Sequence, residues 1–336
     1  MKKLKILITG SCGFIGCNFI NFILPNNYFD IYGIDNLNDY YNKGLKLDRL
    51  NLIKNKINFT KLDIREYKKL NSYLKKNQFD IIVHLAAQAG VRYSLENPDT
   101  YIDNNINGTF NILNIAKDLN LKHLLIASTS SVYGNNSSDK GFSEMDNTNN
   151  PLSLYSATKK SIEIISHSYS HNFKIPITIF RFFTVYGPWG RPDMALFKFI
   201  NSISNNTPIE VYNNGELWRD FTYIDDLVKS VYLLLDVIPD NKTRLEYDSI
   251  SPDAPFRILN IGNQQAVNLN DFVKILEKVM DKKAQIKFLP MQKGDVFFTL
   301  SNSKLLESLI GFVPSTSLEK GVSSFYKWYK DYYKIK

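Results

Sequence analysis

Residues 4–16, LKILITGSCGFIG, place a short apolar run directly before a glycine-rich turn, and a helical pattern follows the turn. The apolar run is typical of a strand that is buried on both faces of a parallel sheet. In such a strand–turn–helix unit, Gly10, Gly13 and Gly16 let the backbone approach a pyrophosphate, and the helix N-terminus supplies free N–H groups. The spacing is Gly-x-x-Gly-x-x-Gly rather than Gly-x-Gly-x-x-Gly, so a tight turn that needs positive φ explains the glycines equally well.

An acidic residue, Asp35, ends the second predicted strand at 31–35 (IYGID). An acid at this point of a dinucleotide-binding unit accepts hydrogen bonds from the adenosine ribose hydroxyls and repels a 2′-phosphate. No arginine follows directly, so the sequence predicts NAD rather than NADP as the cofactor. The alternative is that Asp35 caps the turn before Asn36.

Three more apolar runs, at 57–62, 80–85 and 123–128, alternate with helical patterns at 65–76 and 100–119. This alternation predicts an α/β fold with a Rossmann-type doubly wound parallel sheet. Ligands of such sheets bind at the carboxyl ends of the strands. That rule selects the residues that follow the strands: Asp63, Ile64, Leu85, Ala86, Ala87, Gln88, Thr129, Ser130 and Ser131.

Two polar residues inside predicted elements have structural explanations. His84 lies within a strand, where a core histidine is more common than a catalyst. Asn104 faces the sheet from the helix predicted at 100–119, either as a buried polar anchor or as a support for the cofactor site, and we favour the anchor.

Composition narrows the class of protein. The 336 residues are 44% apolar and 22% charged, as in ordinary globular proteins. No apolar run approaches the roughly 20 residues that span a bilayer, and the first one ends too early for a signal peptide, so we expect a cytoplasmic protein without a membrane partner. The net charge of +8 comes from scattered lysines, which supports an anionic nucleotide substrate better than nucleic acid. Cys12 and Cys17 lack metal-site spacing, so we expect packing roles and no metal.

A tyrosine and a lysine four residues apart, Tyr155 and Lys159, share one face of a helix predicted at 153–173. A free phenol has a pKa of about 10 and is a poor base at neutral pH. A nearby ammonium group favours the phenolate and lowers that pKa, so the pair could move a proton to and from a sugar hydroxyl. Taken alone, the spacing is also common on surface helices without a function.

The motifs occur in a characteristic order. They are the glycine turn, HLAA at 84–87, STSSVYG at 128–134, the Tyr155/Lys159 pair, RFFTVYGP at 181–188, RDFTYIDD at 219–226 and GDV at 294–296. In this order and spacing they resemble the extended short-chain dehydrogenase/reductase family, specifically its nucleotide-sugar epimerases and dehydratases. The resemblance covers nearly the whole chain.

Within that family, three stretches resemble the UDP-glucuronate 4-epimerases. They are DNLNDYY at 35–41, AAQAGVRYS at 86–94 and TVYGPWGRPDMA at 184–195. The chain departs from the usual glycine turn at Cys12, where alanine is common; both side chains are small, so little consequence is expected.

The resemblance implies a catalytic set of Tyr155, Lys159 and Thr129. Tyr155, as phenolate, would take the proton of the sugar 4-hydroxyl while the C4 hydride passes to NAD⁺. The resulting 4-keto sugar would rotate and be reduced on its other face. Lys159 would lower the phenol pKa and bind the nicotinamide ribose, and Thr129 would hydrogen-bond the reacting oxygen. The predicted cofactor-binding residues are Gly10, Gly13, Phe14, Ile15, Gly16, Asp35, Asn36, Asp63, Ile64, Leu85, Ala86, Ala87, Gln88, Asn104, Tyr155 and Lys159.

The residues after Thr129 distinguish reactions within the family. Dehydrating relatives carry an Asp-Glu pair there and decarboxylating relatives a Glu, whereas this chain has Ser130 and Ser131. We expect Ser130, Thr184 and Arg191 to hold the sugar carboxylate, with Arg191 as a bidentate donor. A solvent-exposed loop arginine is the alternative for Arg191.

The remaining predicted substrate contacts are Ser131, Arg92 and Arg219. Arg219 resembles the family's diphosphate arginine, and its alternative is an exposed ion pair with Asp220. Asp225 and Asp226 are expected to cap the helix that follows.

Two domains are predicted: an NAD-binding Rossmann domain at 1–175, to which some later segments return, and a mainly substrate-binding domain at 176–336. The family pairs the helices at 100–119 and 153–173 between subunits, which implies a homodimer. A 4-epimerase of another UDP-sugar, such as UDP-glucose or UDP-N-acetylglucosamine, is the alternative function. A non-catalytic dinucleotide sensor is less well supported, since such proteins usually lose the Tyr/Lys pair.

Overall fold

The computed structural model describes residues 3–136, 140–240 and 244–335. Its strands are β1 Leu4–Thr9, β2 Phe29–Asp35, β3 Asn58–Lys61, β4 Ile81–His84, β5 His123–Thr129, β6 Ile177–Phe182, β7 Thr184–Tyr186, β8 Ile209–Tyr212, β9 Trp218–Tyr223, β10 Phe256–Ile261, β11 Ala266–Asn268 and β12 Ile286–Leu289. Its α-helices are α1 Phe14–Ile23, α2 Lys43–Ile53, α3 Tyr67–Asn77, α4 Tyr93–Glu96, α5 Pro98–Tyr101, α6 Gly108–Ala116, α7 Leu154–Phe173, α8 Ala195–Ser204, α9 Ile224–Leu234, α10 Leu269–Met280, α11 Lys304–Ile310 and α12 Leu318–Tyr333.

Seven parallel strands form the central sheet in the order β10-β6-β5-β4-β1-β2-β3. The order reverses at β1, which pairs with β2 on one side and β4 on the other. Such a reversal opens a crevice at the carboxyl ends of the strands, where ligands of doubly wound sheets bind. The predicted fold class is confirmed.

Helices cover both faces of the sheet, which explains the continuous apolar strands. In β1, Ile6 and Ile8 pack in one core with Phe19 of α1, while Leu7 packs in the opposite core with Ile112 of α6. Strands covered on both faces are apolar at successive positions, as the sequence predicted.

Two strands beyond residue 175, β6 and β10, belong to the central sheet. The other segments of this half build a three-stranded sheet, β11-β9-β7, and a parallel pair, β12-β8. These small sheets stand beside the carboxyl ends of the central strands, because β7 follows β6 after a single residue. None of the described helices combines the length and apolar character needed to cross a bilayer.

The helix predicted at 100–119 is interrupted. After α5 the chain forms a π-helical segment, Ile102–Asn107, before α6 begins at Gly108. This widened segment brings two consecutive asparagines, Asn104 and Asn105, into buried positions. Such π segments are frequent at functional sites, and the regular apolar spacing of the sequence gave no sign of it.

Candidate active site

One cavity of about 1060 Å³ lies at the carboxyl ends of the central strands and continues between the small sheets. Of the predicted site residues, all within the described ranges, only Asp63 does not line it. The Asp63 carboxylate instead accepts hydrogen bonds from Asn36 Nδ2 at 2.9 Å and from Arg65 at 2.8 Å. A cofactor contact through the Asp63 side chain is therefore not supported by this geometry, whereas its neighbour Ile64 lines the cavity.

The glycine turn is closed by contacts that a side chain would block. A Cβ on Gly10 would lie 2.9 Å from Ala86 N, and one on Gly16 would lie 2.2 Å from the Gly10 carbonyl oxygen. Gly10 has φ +69°, so the tight-turn explanation is correct for this residue. The tight-turn explanation does not account for Gly16, because its φ is not positive. At Gly16 the missing side chain lets α1 pack directly against the turn. The N-cap of α1 is Gly13, which has no side chain to bond the N–H groups of the first helical turn. These N–H groups therefore remain free to bind an anion in the cavity that the start of α1 lines.

The Asp35 carboxylate lies at the end of β2, where it accepts bonds from Cys12 N at 3.0 Å and Leu37 N at 2.8 Å. Asp35 therefore caps the turn that follows β2, as the alternative interpretation held. It also lines the cavity. A carboxylate offers about four acceptor positions, so two remain for ribose hydroxyls. Lys46, which no sequence motif indicates, lies in the same part of the cavity and donates to Asn38 Oδ1 at 2.6 Å.

These features fit a dinucleotide. Gly10, Gly13 and Gly16 leave room for a pyrophosphate beside the N-terminus of α1, and the acid at the end of β2 faces the same cavity. The residues present therefore fit the predicted cofactor, NAD.

The start of α7 is fixed by a reciprocal cap. Ser153 Oγ accepts from Ser156 N at 3.1 Å, and Ser156 Oγ accepts from Ser153 N at 3.1 Å. This cap sets the first turn, which carries Tyr155, and one turn later the buried Lys159 donates from Nζ to the Ala127 carbonyl at 2.9 Å. Burial lowers the pKa of Lys159 to about 8, against the opposing charge of Glu163.

Burial raises the pKa of the Tyr155 phenol, and Asp193 adds to the increase. Two groups oppose this effect: the Arg191 guanidinium first, and then a hydrogen bond with the Thr129 hydroxyl. The sequence led us to expect that Lys159 lowers this pKa. In the structure the cation that lowers it is Arg191, while the Lys159 ammonium donates to the Ala127 carbonyl.

Three predicted catalytic residues therefore meet in one place. Tyr155, Lys159 and Thr129 all line the cavity, with Thr129 at the end of β5. The Thr129 hydroxyl donates to Ser131 Oγ at 3.2 Å and accepts from Ser131 N at 3.2 Å. The arrangement puts a phenol, a hydroxyl and a cation beside the predicted nicotinamide end of the dinucleotide site.

Arg191 is held in place by a second acid. Its Nε donates to Asp193 Oδ1 at 3.0 Å, and Tyr40 Oη donates to Asp193 Oδ2 at 3.1 Å. The Arg191 side chain is only 22% exposed, so the alternative of a solvent-exposed loop arginine is wrong. Sequence reasoning missed Asp193 and Tyr40; the Arg-Pro-Asp spacing offered a signal for the first, and nothing local indicated the second.

The other predicted carboxylate contacts are close by. Ser130 and Ser131 form a short 3₁₀ turn after β5, and Thr184 begins β7; all three line the cavity. Hydroxyl groups, with no carboxylate among them, thus face the same space as Arg191.

Arg92 and Arg219 line the far end of the cavity. Arg92 makes an ion pair with Asp295 at 3.6 Å, and its guanidinium lies 4.5 Å from the centre of the Tyr212 ring. Arg219 donates to the carbonyl oxygens of Trp218 at 2.9 Å and Val296 at 2.6 Å. Two guanidinium groups at one end suit a diphosphate.

The alternative pairing of Arg219 with Asp220 is wrong. Asp220 is buried and accepts hydrogen bonds from Asn263 N, Gln264 N and Ser301 N at 2.7, 3.0 and 2.9 Å. The prediction that Asp225 and Asp226 cap α9 is not met, because the N-cap of this helix makes no side-chain bond. Asp226 instead accepts hydrogen bonds from the backbone N–H groups of Ser315 and Thr316.

The buried polar anchor is Asn105 rather than Asn104. Asn105 Oδ1 accepts from Gln88 N at 2.8 Å, and its Nδ2 donates to Gln88 O at 3.0 Å and Thr158 Oγ1 at 3.1 Å. Asn104 lines the cavity instead. Because Asn105 joins the loop after β4 to α7, it fixes the cofactor wall against the helix that carries Tyr155.

His84 is a core histidine, as expected. Its ring nitrogens bond to the hydroxyls of Thr9 at 2.7 Å and Thr109 at 3.0 Å, and burial lowers its pKa to about 3. Cys12 and Cys17 are free and buried. Among the described residues, no group of three or more His, Cys, Asp or Glu side chains is placed to hold a metal ion.

Comparison with known proteins agrees with this geometry. The NAD dependent epimerase/dehydratase family matches residues 6–247. Protein CapI of Staphylococcus aureus is 46% identical over 98% of this chain and 100% of its own length, and a probable UDP-glucuronate 4-epimerase of Rhizobium meliloti is 45% identical over 98% of each chain. Among solved structures, the UDP-glucuronic acid 4-epimerase of Bacillus cereus, in complex with UDP-glucuronic acid and NAD, is similar with a TM-score of 0.88. It is 33% identical, and the match covers 98% of this chain and 100% of that one.

The glycine cradle, the acid at the end of β2 and the Tyr155/Lys159 pair thus occur in a chain whose sequence matches one family over most of its length. The chain belongs to the NAD dependent epimerase/dehydratase family.

Proposed function

We propose that the protein is an NAD-dependent UDP-glucuronate 4-epimerase, which interconverts UDP-glucuronate and UDP-galacturonate through a 4-keto sugar. The observation that carries this proposal is the meeting of Tyr155, Thr129 and Arg191 in one cavity with the dinucleotide cradle. A base, a hydroxyl donor and a cation are what inversion at C4 of an acidic sugar requires. The Rhizobium meliloti and Bacillus cereus relatives named above support the same substrate.

Proton handling falls to Tyr155. In its phenolate form it takes the proton of the sugar 4-hydroxyl, and it later returns a proton to the same oxygen, O4. Thr129, which lines the same cavity as Tyr155, orients the reacting oxygen. NAD, when bound, supplies the hydride acceptor and donor for C4. The Arg191 charge lowers the pKa of Tyr155 and so offsets part of the increase that burial causes. The binding of an acidic sugar and the reactivity of the phenol therefore depend on the same guanidinium.

The 4-keto sugar must rotate and be reduced without losing its carboxylate. A 4-keto glucuronate is a β-keto acid, which tends to release CO₂ when its carboxylate is free to align with the ketone. We assign the binding of that group to Ser130, Thr184 and Arg191, because these three residues line one cavity and offer hydroxyl and guanidinium donors. No carboxylate stands at 130 or 131 to remove a C5 proton, which supports epimerisation over dehydration.

The protein acts as a homodimer through α6 and α7. These helices lie side by side, and their outer faces carry large apolar side chains: Phe110 is 41% exposed and Ile164 is 60% exposed. Apolar side chains at this exposure on neighbouring helices suit a helical interface between two copies. Sedimentation at micromolar protein tests the assignment, and Ile164→Glu should dissociate the dimer.

A substrate panel tests the proposed activity. The purified protein is incubated separately with UDP-glucuronate, UDP-glucose and UDP-N-acetylglucosamine, and the products are read by NMR. We expect UDP-galacturonate from the first and little turnover of the two neutral sugars. Turnover of a neutral sugar with no UDP-galacturonate would replace the proposal by a neutral-sugar 4-epimerase.

Tyr155→Phe provides the matched control, because it removes one hydroxyl and keeps the ring that packs on Tyr101 at 6.1 Å. We expect it to lose about 10²–10⁴-fold in turnover. Full turnover in this variant would remove Tyr155 from the reaction.

A further inference from the structure

Arg49 of α2 is a fully buried cation, 0% exposed, that joins two parts of the site. Its Nη1 donates to the Cys12 carbonyl of the glycine turn at 3.4 Å. Its Nη2 donates to the carbonyls of Trp189 and Gly190 at 2.6 and 3.0 Å. Trp189 and Gly190 directly precede Arg191, the residue proposed to bind the sugar carboxylate. The Arg49 guanidinium therefore bridges the glycine turn of the dinucleotide site and the loop that carries Arg191.

The bonding of Arg49 is unusual for a buried arginine. Within the described residues, no carboxylate lies within 4.0 Å of its guanidinium, and its Nε has no partner. The positive charge is met by carbonyl oxygens, the Tyr41 hydroxyl and the face of the Tyr41 ring. Burying a cation without a counter-ion is costly, so its position is not explained by local packing.

The loop that Arg49 holds is strained. Trp189 has φ +63°, in the left-handed region that a bulky side chain rarely adopts. On its other side the Trp189 indole packs against Trp328 and Tyr332 of α12, with ring centres 5.3 and 5.2 Å away. The loop therefore keeps its shape because the guanidinium holds its carbonyls and α12 holds its indole.

We propose that Arg49 is a positioning residue that couples the dinucleotide turn to the carboxylate grip of Arg191. This inference rests on the proposed function. When the coupling is intact, Arg191 keeps the sugar carboxylate away from alignment with the 4-ketone.

When the coupling is broken, the 4-keto intermediate decarboxylates. The C5–C6 bond breaks, CO₂ leaves, and the electron pair forms the enolate of the C4 ketone. The enolate takes a proton from water at C5 and becomes a UDP-4-ketopentose. The ratio of this pentose product to UDP-galacturonate therefore reports on the position of Arg191.

Arg49→Lys and Arg49→Met test the coupling by two measurements. We expect the ratio of pentose product to UDP-galacturonate to rise at least tenfold, more in the Met variant, and the Kd for NAD measured by calorimetry to rise about tenfold. A product ratio does not depend on the folded fraction, so general destabilisation does not reproduce this result. If either quantity stays at the wild-type value in both variants, the coupling is overturned.

Two further variants complete the test. Tyr41→Phe removes one acceptor but keeps the ring beside the guanidinium, and should shift the ratio in the same direction even if both Arg49 variants fail to fold. Arg257→Lys is the matched control: Arg257 is equally buried but pairs with Asp248 at 2.9 Å and does not line the cavity, so it should leave the ratio unchanged. An unshifted ratio in Tyr41→Phe, or an equal shift in Arg257→Lys, would contradict the inference. If wild-type protein makes no UDP-galacturonate, the proposed function fails first and the ratio is undefined.

Discussion

Arg191 and Asp193 form an ion pair at the sugar end of the cavity, with Arg191 Nε 3.0 Å from Asp193 Oδ1 and a second, shorter bond beside it. Asp193 is held in turn by the Tyr40 hydroxyl at 3.1 Å. The guanidinium thus has a fixed orientation before a sugar arrives. To bind Arg191, a sugar carboxylate must use the guanidinium N–H groups that Asp193 leaves free, or compete with Asp193 for the others.

Arg191→Ala should separate acidic from neutral sugars. Losing a charge-assisted partner of a buried carboxylate costs about 2–5 kcal/mol, so kcat/KM for UDP-glucuronate should fall about 30- to 4,000-fold. A neutral UDP-sugar has no carboxylate to lose, and its low activity should fall much less. Steady-state kinetics on both substrates make the comparison, and equal losses would remove the carboxylate role.

Asp193→Asn should make the Tyr155 phenol more acidic. The Asp193 charge raises the pKa of Tyr155, while Arg191 lowers it. Neutralising Asp193 removes the raising charge, so the phenol should titrate at lower pH than in the wild type. The measurement is an NMR titration of ¹³C-labelled tyrosine, with the Tyr155 signal assigned by its absence in Tyr155→Phe. Tyr40→Phe keeps the carboxylate and serves as the control; a Tyr155 titration that stays in place or moves to higher pH would contradict the assignment.

Asp35→Asn should weaken the preference for NAD over NADP. The acid at the end of β2 repels a 2′-phosphate, and once its charge is removed the Lys46 ammonium in the same part of the cavity attracts one without opposition from Asp35. We expect the ratio of the two dissociation constants to change by about tenfold, which corresponds to about 1.4 kcal/mol. Calorimetry with each dinucleotide gives the ratio, and an unchanged preference would show that Asp35 serves only its turn.

Asp220→Ala should destabilise the fold rather than the site. The variant leaves two buried backbone N–H groups, those of Asn263 and Ser301, without their acceptor, whereas Gln264 N keeps Ser301 Oγ at 3.1 Å. Each lost acceptor costs about 1–3 kcal/mol, so the free energy of unfolding should fall by about 2 kcal/mol or more. Urea denaturation measures it. Asp271→Asn, which breaks an exposed pair with Lys274, should cost no more than about 1 kcal/mol, and similar losses in both would refute this account of Asp220.

Local patterns in the sequence were enough for the first five strands, the glycine turn and the residues at the ends of those strands. Because parallel strands end at one edge, Gly10, Ala86 and Thr129 had to lie near each other once the sheet was recognised. The first turn of α7 is also local, since Ser153 and Ser156 cap each other. For these parts, the structure follows from short stretches and the rule of parallel sheets.

Contacts between distant segments were not predictable. Tyr40 reaches Asp193, and Arg49 reaches Trp189, across about half the chain, and nothing near either residue indicates the partner. In the π-helical segment, the anchor role expected of Asn104 belongs to Asn105. The cation beside Tyr155 is Arg191 rather than its helical neighbour Lys159, because helical spacing fixes which residues share a face but not where a long side chain ends.

The central claim is that C4 of UDP-glucuronate is oxidised and reduced again within one site. Wild-type protein is given UDP-glucuronate that carries deuterium at C4, and the product is analysed by NMR and mass spectrometry. The account predicts UDP-galacturonate that keeps its deuterium at C4, because the hydride leaves and returns without meeting water. Deuterium lost to the solvent, or no UDP-galacturonate at all, would contradict it.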